Sequence, residues 1–144
     1  MIEAANLSQL NDIYSIEKQS FKKPWTKSQI QNDLQSKINS ENWVYILEQK
    51  IIGYIFVCII DEQFHLNNIA VHPNYLRNKI GKSLIKHIIL RAKKRKINII
   101  LLEVSINNVP AIRCYQSLGF IQVGLRKNYY AKDDDAALYD LEIN

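Results

Sequence analysis

A carboxylate at Glu103, two carboxamides at Asn107 and Asn108 and a phenol at Tyr115 follow one another closely in the chain. Their settings assign them to different elements. The apolar run 97–104 is short, rich in β-branched residues and closed by a polar break, which predicts a buried strand. A carboxylate inside such a run is expensive unless it is paired or put to use. Asn107 and Asn108 supply capping chemistry, Pro110 suits the first turn of a helix and Gly119 ends it, so Tyr115 falls on that helix. An acid on the strand and a phenol on the helix can form a proton-transfer pair facing one cleft. Apolar surroundings would push the Glu103 carboxyl upward, toward what a base working near neutrality needs. Taken alone, both residues also have structural readings: a strand-end carboxylate in an ion pair, and a tyrosine packed on the sheet.

A second stretch offers different chemistry. Asn68-Ile69-Ala70-Val71-His72-Pro73-Asn74-Tyr75-Leu76-Arg77-Asn78-Lys79-Ile80-Gly81-Lys82-Ser83-Leu84 joins a strand to the start of a long helix. A helix N-terminus gathers unpaired N–H groups and the positive end of the dipole, which suits a pyrophosphate. By itself the pattern is also ordinary connectivity. Cys58 and Cys114 are too far apart for a metal cluster or a disulfide framework, and His65, His72 and His87 lack ligand spacing, so no metal is expected.

The elements that must hold these groups follow from periodicity. Leu7, Leu10, Ile13 and Tyr14 predict a first amphipathic helix over 7–19, broken by Pro24-Trp25. Thr26 caps a second helix with Ile30, Leu34 and Ile38 on one face. Trp25, a large aromatic beside a proline in a loop, is a candidate for a binding surface. Strands are expected at 43–47, 51–60 and 64–71, as an antiparallel meander with turns at Glu48-Gln49-Lys50 and Asp61-Glu62-Gln63. A long helix over 81–96 carries Leu84, Ile85, Ile88, Ile89 and Ala92 on one side and basic residues on the other. The strand 97–104 follows that crossover, so it should run parallel to the strand before the helix. Strands at 120–123 and 136–143, with a short one near Ile2, complete a mixed α/β sheet flanked by helices.

The 144 residues suit one domain, 1–144, with an ordinary apolar share of 47% and a charged share of 23%. No stretch reaches the roughly 20 apolar residues of a membrane span. The N-terminus lacks a basic flank followed by an apolar block, so a cytoplasmic location is expected. A net charge of +5 suits an anionic partner, but a composition rich in Lys, Ile and Asn accounts for it equally well. The cluster Arg91, Lys93, Lys94, Arg95 and Lys96 reads as a solvated helix face, and direct nucleic-acid binding is not expected.

Together with Glu103, Asn108 and Tyr115-Gln116-Ser117-Leu118-Gly119-Phe120, the segment from Asn68 resembles the GCN5-related N-acetyltransferase (GNAT) superfamily. The resemblance covers roughly residues 43–143. It implies a mostly antiparallel sheet with an acetyl-CoA cleft between two neighbouring parallel strands. It also implies acetyl-CoA contacts at Ile69, Ala70 and Val71, at Arg77, Asn78, Lys79, Ile80, Gly81 and Lys82, and at Asn108. The family's loop pattern is Gln/Arg-x-x-Gly-x-Gly/Ala. Here Leu76 replaces its first residue and Lys79 its first glycine, while Gly81 remains. If that position needs a left-handed backbone, lysine would cost about 1–2 kcal/mol.

Pro24-Trp25, Arg126-Lys127-Asn128-Tyr129-Tyr130 and Asp134-Asp135-Ala136 resemble, more narrowly, the RimI-type ribosomal-protein-alanine N-acetyltransferases of bacteria. Tyr139 stands where their pattern carries Met. This resemblance implies Glu103 as general base, Tyr115 as general acid, and the N-terminal segment of a small-subunit ribosomal protein as partner. Amides of Ile69, Ala70 and Val71 would then face the oxyanion of acyl transfer. Tyr129 and Tyr130 are either groove or plain strand residues. Two other readings stay open: another amine as acceptor, and a non-catalytic module that binds acetyl-CoA or the ribosome.

Overall fold

The computed structural model describes residues 1–36 and 38–144. Its strands are β1 (Ile2–Ala4), β2 (Ser40–Leu47), β3 (Lys50–Ile60), β4 (Gln63–Val71), β5 (Ile99–Ser105), β6 (Ile121–Ala131) and β7 (Asp134–Glu142). Its helices are α1 (Leu10–Ser20), α2 (Lys27–Gln35), α3 (Ile80–Lys94) and α4 (Val109–Ser117), with 3₁₀ turns at Leu7–Gln9 and Pro73–Tyr75. The sheet order is β1-β2-β3-β4-β5-β7-β6, a mixed and mostly antiparallel α/β arrangement.

Two compact units make up the chain. The first comprises Met1–Ile59 and Asn67–Ile88. In it β2 pairs antiparallel with β1 and with β3, and the β2–β3 connection is a two-residue turn between Leu47 and Lys50. Both turn residues are left-handed, Glu48 at φ 50° and Gln49 at φ 66°, which matches the twist that antiparallel neighbours require. Asp61 and Glu62, at φ 51° and 62°, make the turn between β3 and β4 in the same way. Ile13, Ile16, Ile30, Leu34, Val44, Tyr54, Phe56 and Ala70 form the unit's core. Helix α2 begins with the expected cap: the Thr26 hydroxyl accepts from the Gln29 backbone amide at 3.1 Å while the Gln29 side-chain Oε1 accepts from the Thr26 backbone amide at 2.8 Å. It stops at Gln35, so Ile38, expected on its apolar face, lies beyond the helix and is exposed.

The second unit comprises Ile60–Leu66 and Ile89–Asn144. There β5 runs parallel to β4 through the pairs Phe64–Ile100, His65–Leu101 and Leu66–Leu102, as the helical crossover requires. On its other side β5 pairs antiparallel with β7, which pairs antiparallel with β6. Strand β6 is much longer than the expected 120–123, running on through Arg126-Lys127-Asn128-Tyr129-Tyr130 to Ala131. The extension closes on itself through backbone donors: the Asn128 amide donates to Asp135 and the Asp133 amide to Asn128, each at 2.8 Å. These polar residues hid the strand because they hold a hairpin through side chains instead of through an apolar alternation.

Candidate active site

In the first unit, the end of β4 and the start of α3 bring the second candidate segment together. The Ala70 carbonyl lies so near Gly53 on β3 that a Cβ there would sit 3.2 Å from it, 3.2 Å from Ile80 and 3.4 Å from Leu84. Gly53, which the sequence reading did not single out, thus lets the first turn of α3 settle close against β3 and β4. The signal was a lone glycine inside a strand pattern, which marks a close backbone approach. After the 3₁₀ turn, capped by His72 accepting from the Asn74 amide at 3.1 Å, the backbone turns left-handed at Arg77 (φ 71°) and again at Lys79 (φ 61°). The Lys79 carbonyl then accepts from the Ser83 amide at 3.0 Å and opens the helix.

Lys79 therefore does occupy the strained conformation that a glycine would accept freely. Its side chain is a donor only and cannot cap the helix, so it leaves the first-turn amides for another acceptor. Gly81 reports on the space in front of them. A Cβ at Gly81 would meet a single protein atom, Val71 Cγ2, at 3.8 Å, so neither room nor φ within the protein demands glycine there. With lysines at 79 and 82, an arginine at 77 and open space at Gly81, this helix start offers the charge and the room that an anionic group such as a pyrophosphate needs.

In the second unit, Glu103 lies on β5 opposite Leu138 of β7. Its side chain is not in the apolar surroundings expected for it. Strand alternation turns it away from buried Leu102 and Val104 to an exposed face, where Arg126 of β6 approaches at 3.5 Å. The ion-pair reading of Glu103 is thus realised, on an exposed face instead of in an apolar pocket. Arg126 also lies over the Tyr129 ring, 5.3 Å from its centroid, and Tyr129 meets Tyr130 edge-on at 5.1 Å. Burial first, then the charge of Glu103, pushes the Tyr130 hydroxyl up to about 12, so Tyr130 stays protonated beside the carboxylate.

Tyr115 is buried on α4, its ring tilted against Phe120 at 5.7 Å. Burial, followed by the neighbouring Cys114 and Tyr130, pushes its hydroxyl well above the ordinary phenol range. Such a phenol keeps its proton at neutral pH, so it can act as an acid or in hydrogen bonds but not as a base. Tyr130 thus contributes to the rise at Tyr115, as Glu103 contributes to the rise at Tyr130.

The connection between β5 and α4 is held by its own side chains. Ser105 and Asp134 share a short hydrogen bond, the Asn107 carboxamide donates to Asp134 at 3.1 Å, and the Asn107 amide donates to Ser105 at 3.1 Å. Asn108 caps α4 by accepting from the Ala111 amide at 3.3 Å, which leaves its –NH₂ as the free end for a ligand. Among the described residues no group of three His, Cys, Asp or Glu side chains gathers as a metal site. No described helix is long and apolar enough to cross a membrane.

The sequence and the fold are similar to those of known proteins. The model of the acetyltransferase (GNAT) family matches residues 10–120. The ribosomal protein bS18-alanine N-acetyltransferase of Escherichia coli K12 is 30% identical over 146 aligned positions, covering 99% of this chain and 97% of that protein. The Haemophilus ducreyi protein of the same name is 31% identical, covering 93% and 91%. The crystal structure of the Escherichia coli ribosomal-protein-S18-alanine N-acetyltransferase superposes with a TM-score of 0.94 at 28% identity, covering 100% of this chain and 94% of that one.

Proposed function

Because the chain belongs to the GNAT acetyltransferase family, we propose that it acetylates the N-terminal alanine of a small-subunit ribosomal protein, with acetyl-CoA as co-substrate. The observation that carries this reading is the likeness, over nearly the whole chain, to enzymes named for that substrate. The family match runs through both compact units, which supports one acetyltransferase domain over 1–144.

Acetyl-CoA supplies an acetyl group activated as a thioester. Ile69, Ala70 and Val71 offer backbone amides to the acetyl end, and Arg77, Asn78, Lys79, Ile80, Gly81 and Lys82 cradle the pyrophosphate. Asn108 contributes its carboxamide. Glu103 takes the proton from the incoming amine, directly or across a water. An α-amino group has a pKa of about 7.7–8.0, against about 10.4 for lysine, so near neutrality far more of it is already the free base that attacks the thioester. Tyr115 keeps its phenolic proton ready for the departing thiolate, and the raised phenol supports that role. Tyr129 and Tyr130 face the acceptor peptide, with Tyr130 beside the base. A ribosomal-protein substrate, as named for the relatives, supports a cytoplasmic reaction away from any membrane.

Mass spectrometry of purified small-subunit ribosomal proteins incubated with the protein and acetyl-CoA tests this. A single added acetyl on one N-terminal alanine is expected. Acetylation confined to internal lysines would redirect the reading to another acceptor, and an inert protein that binds acetyl-CoA would redirect it to a non-catalytic module.

A further inference from the structure

A buried carboxylate of the first unit is not among the residues assigned above. Glu17 on α1 is 1% exposed, set between the core residues Ile13 and Ile16 and the loop that carries Pro24-Trp25. Three neutral donors from three other elements converge on it. The Tyr54 hydroxyl of β3 makes a short hydrogen bond to Oε1, the Asn68 carboxamide of β4 donates to Oε1 at 2.6 Å, and the Trp25 amide donates to Oε2 at 2.9 Å. Burying a carboxylate is costly, and apolar side chains of similar volume commonly stabilise such a site at least as well. The network therefore calls for a reason beyond stability.

Its geometry supplies one. Asn68 is the residue immediately before Ile69, Ala70 and Val71, and strand alternation points Asn68 and Ala70 to the same buried side. The carboxylate thus clamps β4 at the entrance to the run of amides, and ties the Trp25 loop to the same point. Trp25 is held further by its ring, edge-on to Phe56 at 6.2 Å.

We propose that Glu17 is a positioning residue for acetyl transfer, fixing through Asn68 where the amides of Ile69, Ala70 and Val71 point. The proposal rests on the acetyltransferase reading and deepens it. Donors that meet an oxyanion act in the transition state, so their displacement lowers kcat while leaving ground-state binding of acetyl-CoA nearly intact. Glu17→Gln keeps the volume but sets an –NH₂ against the Trp25 amide or, turned over, against Tyr54 and Asn68, which must then reorient from donating to accepting.

The test compares Glu17→Gln with Ile13→Val, which removes a methylene from the same core and serves as a purely destabilising control. Glu17→Gln is expected to lower kcat about tenfold with the acetyl-CoA KM within about twofold of wild type. Ile13→Val should lower Tm and keep kcat. Hydrogen exchange at the amides of Ile69, Ala70 and Val71 should be faster in Glu17→Gln only. If Glu17→Gln does not fold, Asn68→Ala, which leaves the carboxylate its Tyr54 and Trp25 donors, carries the same expectation. Wild-type kcat together with wild-type exchange in the substituted protein overturns the proposal. A wild-type protein that transfers no acetyl counts against the proposed function instead, and the exchange data alone then decide the role of Glu17.

Discussion

Two strand–loop–helix connections in this chain have opposite characters. The one from β5 to α4 satisfies itself: Ser105, Asn107 and Asp134 lace the loop, and Asn108 caps the helix with Pro110 in its first turn. The one from β4 to α3 does not. It bends through two left-handed non-glycine residues, Arg77 and Lys79, and places a donor-only side chain where a capping acceptor would stand. A helix start that uses its own side chains is stable and closed to anions, whereas one left bare is strained and open to them. Under the proposed function the first connection would present the reacting groups and the second would hold the phosphates, so rigidity and openness would fall where each is needed.

The largest expected effect is on the closed connection's chemistry. Tyr115→Phe keeps the packing against Phe120 but removes the proton, and should lower kcat by about 10²-fold or more with the fold intact. Glu103→Gln should fall in the same range, measured by the same steady-state assay; wild-type rates in both would end their assigned roles. Because the Tyr115 phenol is raised, kcat should show no falling limb from its ionisation below about pH 10. The sign for stability follows. Tyr54, Tyr115 and Tyr130 all bind their protons more tightly when folded, so their contribution is whole below about pH 10 and is lost as pH climbs above it. Tyr115→Phe should flatten that alkaline loss in denaturant titrations at several pH values.

Next in size is the packing behind the open connection. Gly53→Ala forces Ala70, Ile80 or Leu84 to give way and should destabilise by about 1–3 kcal/mol, with a rise in the acetyl-CoA KM. Lys79→Gly should relieve the left-handed lysine and raise stability by about 1–2 kcal/mol in urea unfolding. Asn108→Ala should work in the opposite direction, costing about 1 kcal/mol through the lost cap. If these last two substitutions shift stability with the same sign, the contrast between the two helix starts is wrong. The smallest effect is expected from Arg126→Ala, within about 1 kcal/mol, since its pair with Glu103 is exposed.

The order of elements was readable because most strands and helices announce themselves by apolar spacing. Asn108, Pro110 and Gly119 marked α4, and the strain expected at Lys79 was legible from one missing glycine. What escaped the sequence is what depends on partners distant in the chain. Glu103 sits in an apolar run, yet alternation turns it out toward Arg126, a residue whose strand was itself hidden by its charges. Glu17 looked like one more polar residue on an amphipathic helix, because its three donors come from Trp25, Tyr54 and Asn68. Ile38 continued a helical spacing past the point where Ser36 closes α2 by donating its amide to Asn32 and Asp33.

One measurement bears most directly on the account: tandem mass spectrometry of a peptide with a free N-terminal alanine and an internal lysine, after incubation with the protein and acetyl-CoA near pH 8. The account predicts a single acetyl on the α-amine, lost in Tyr115→Phe at equal times. An acetyl on the lysine side chain, or equal labelling by the Tyr115→Phe protein, would contradict it.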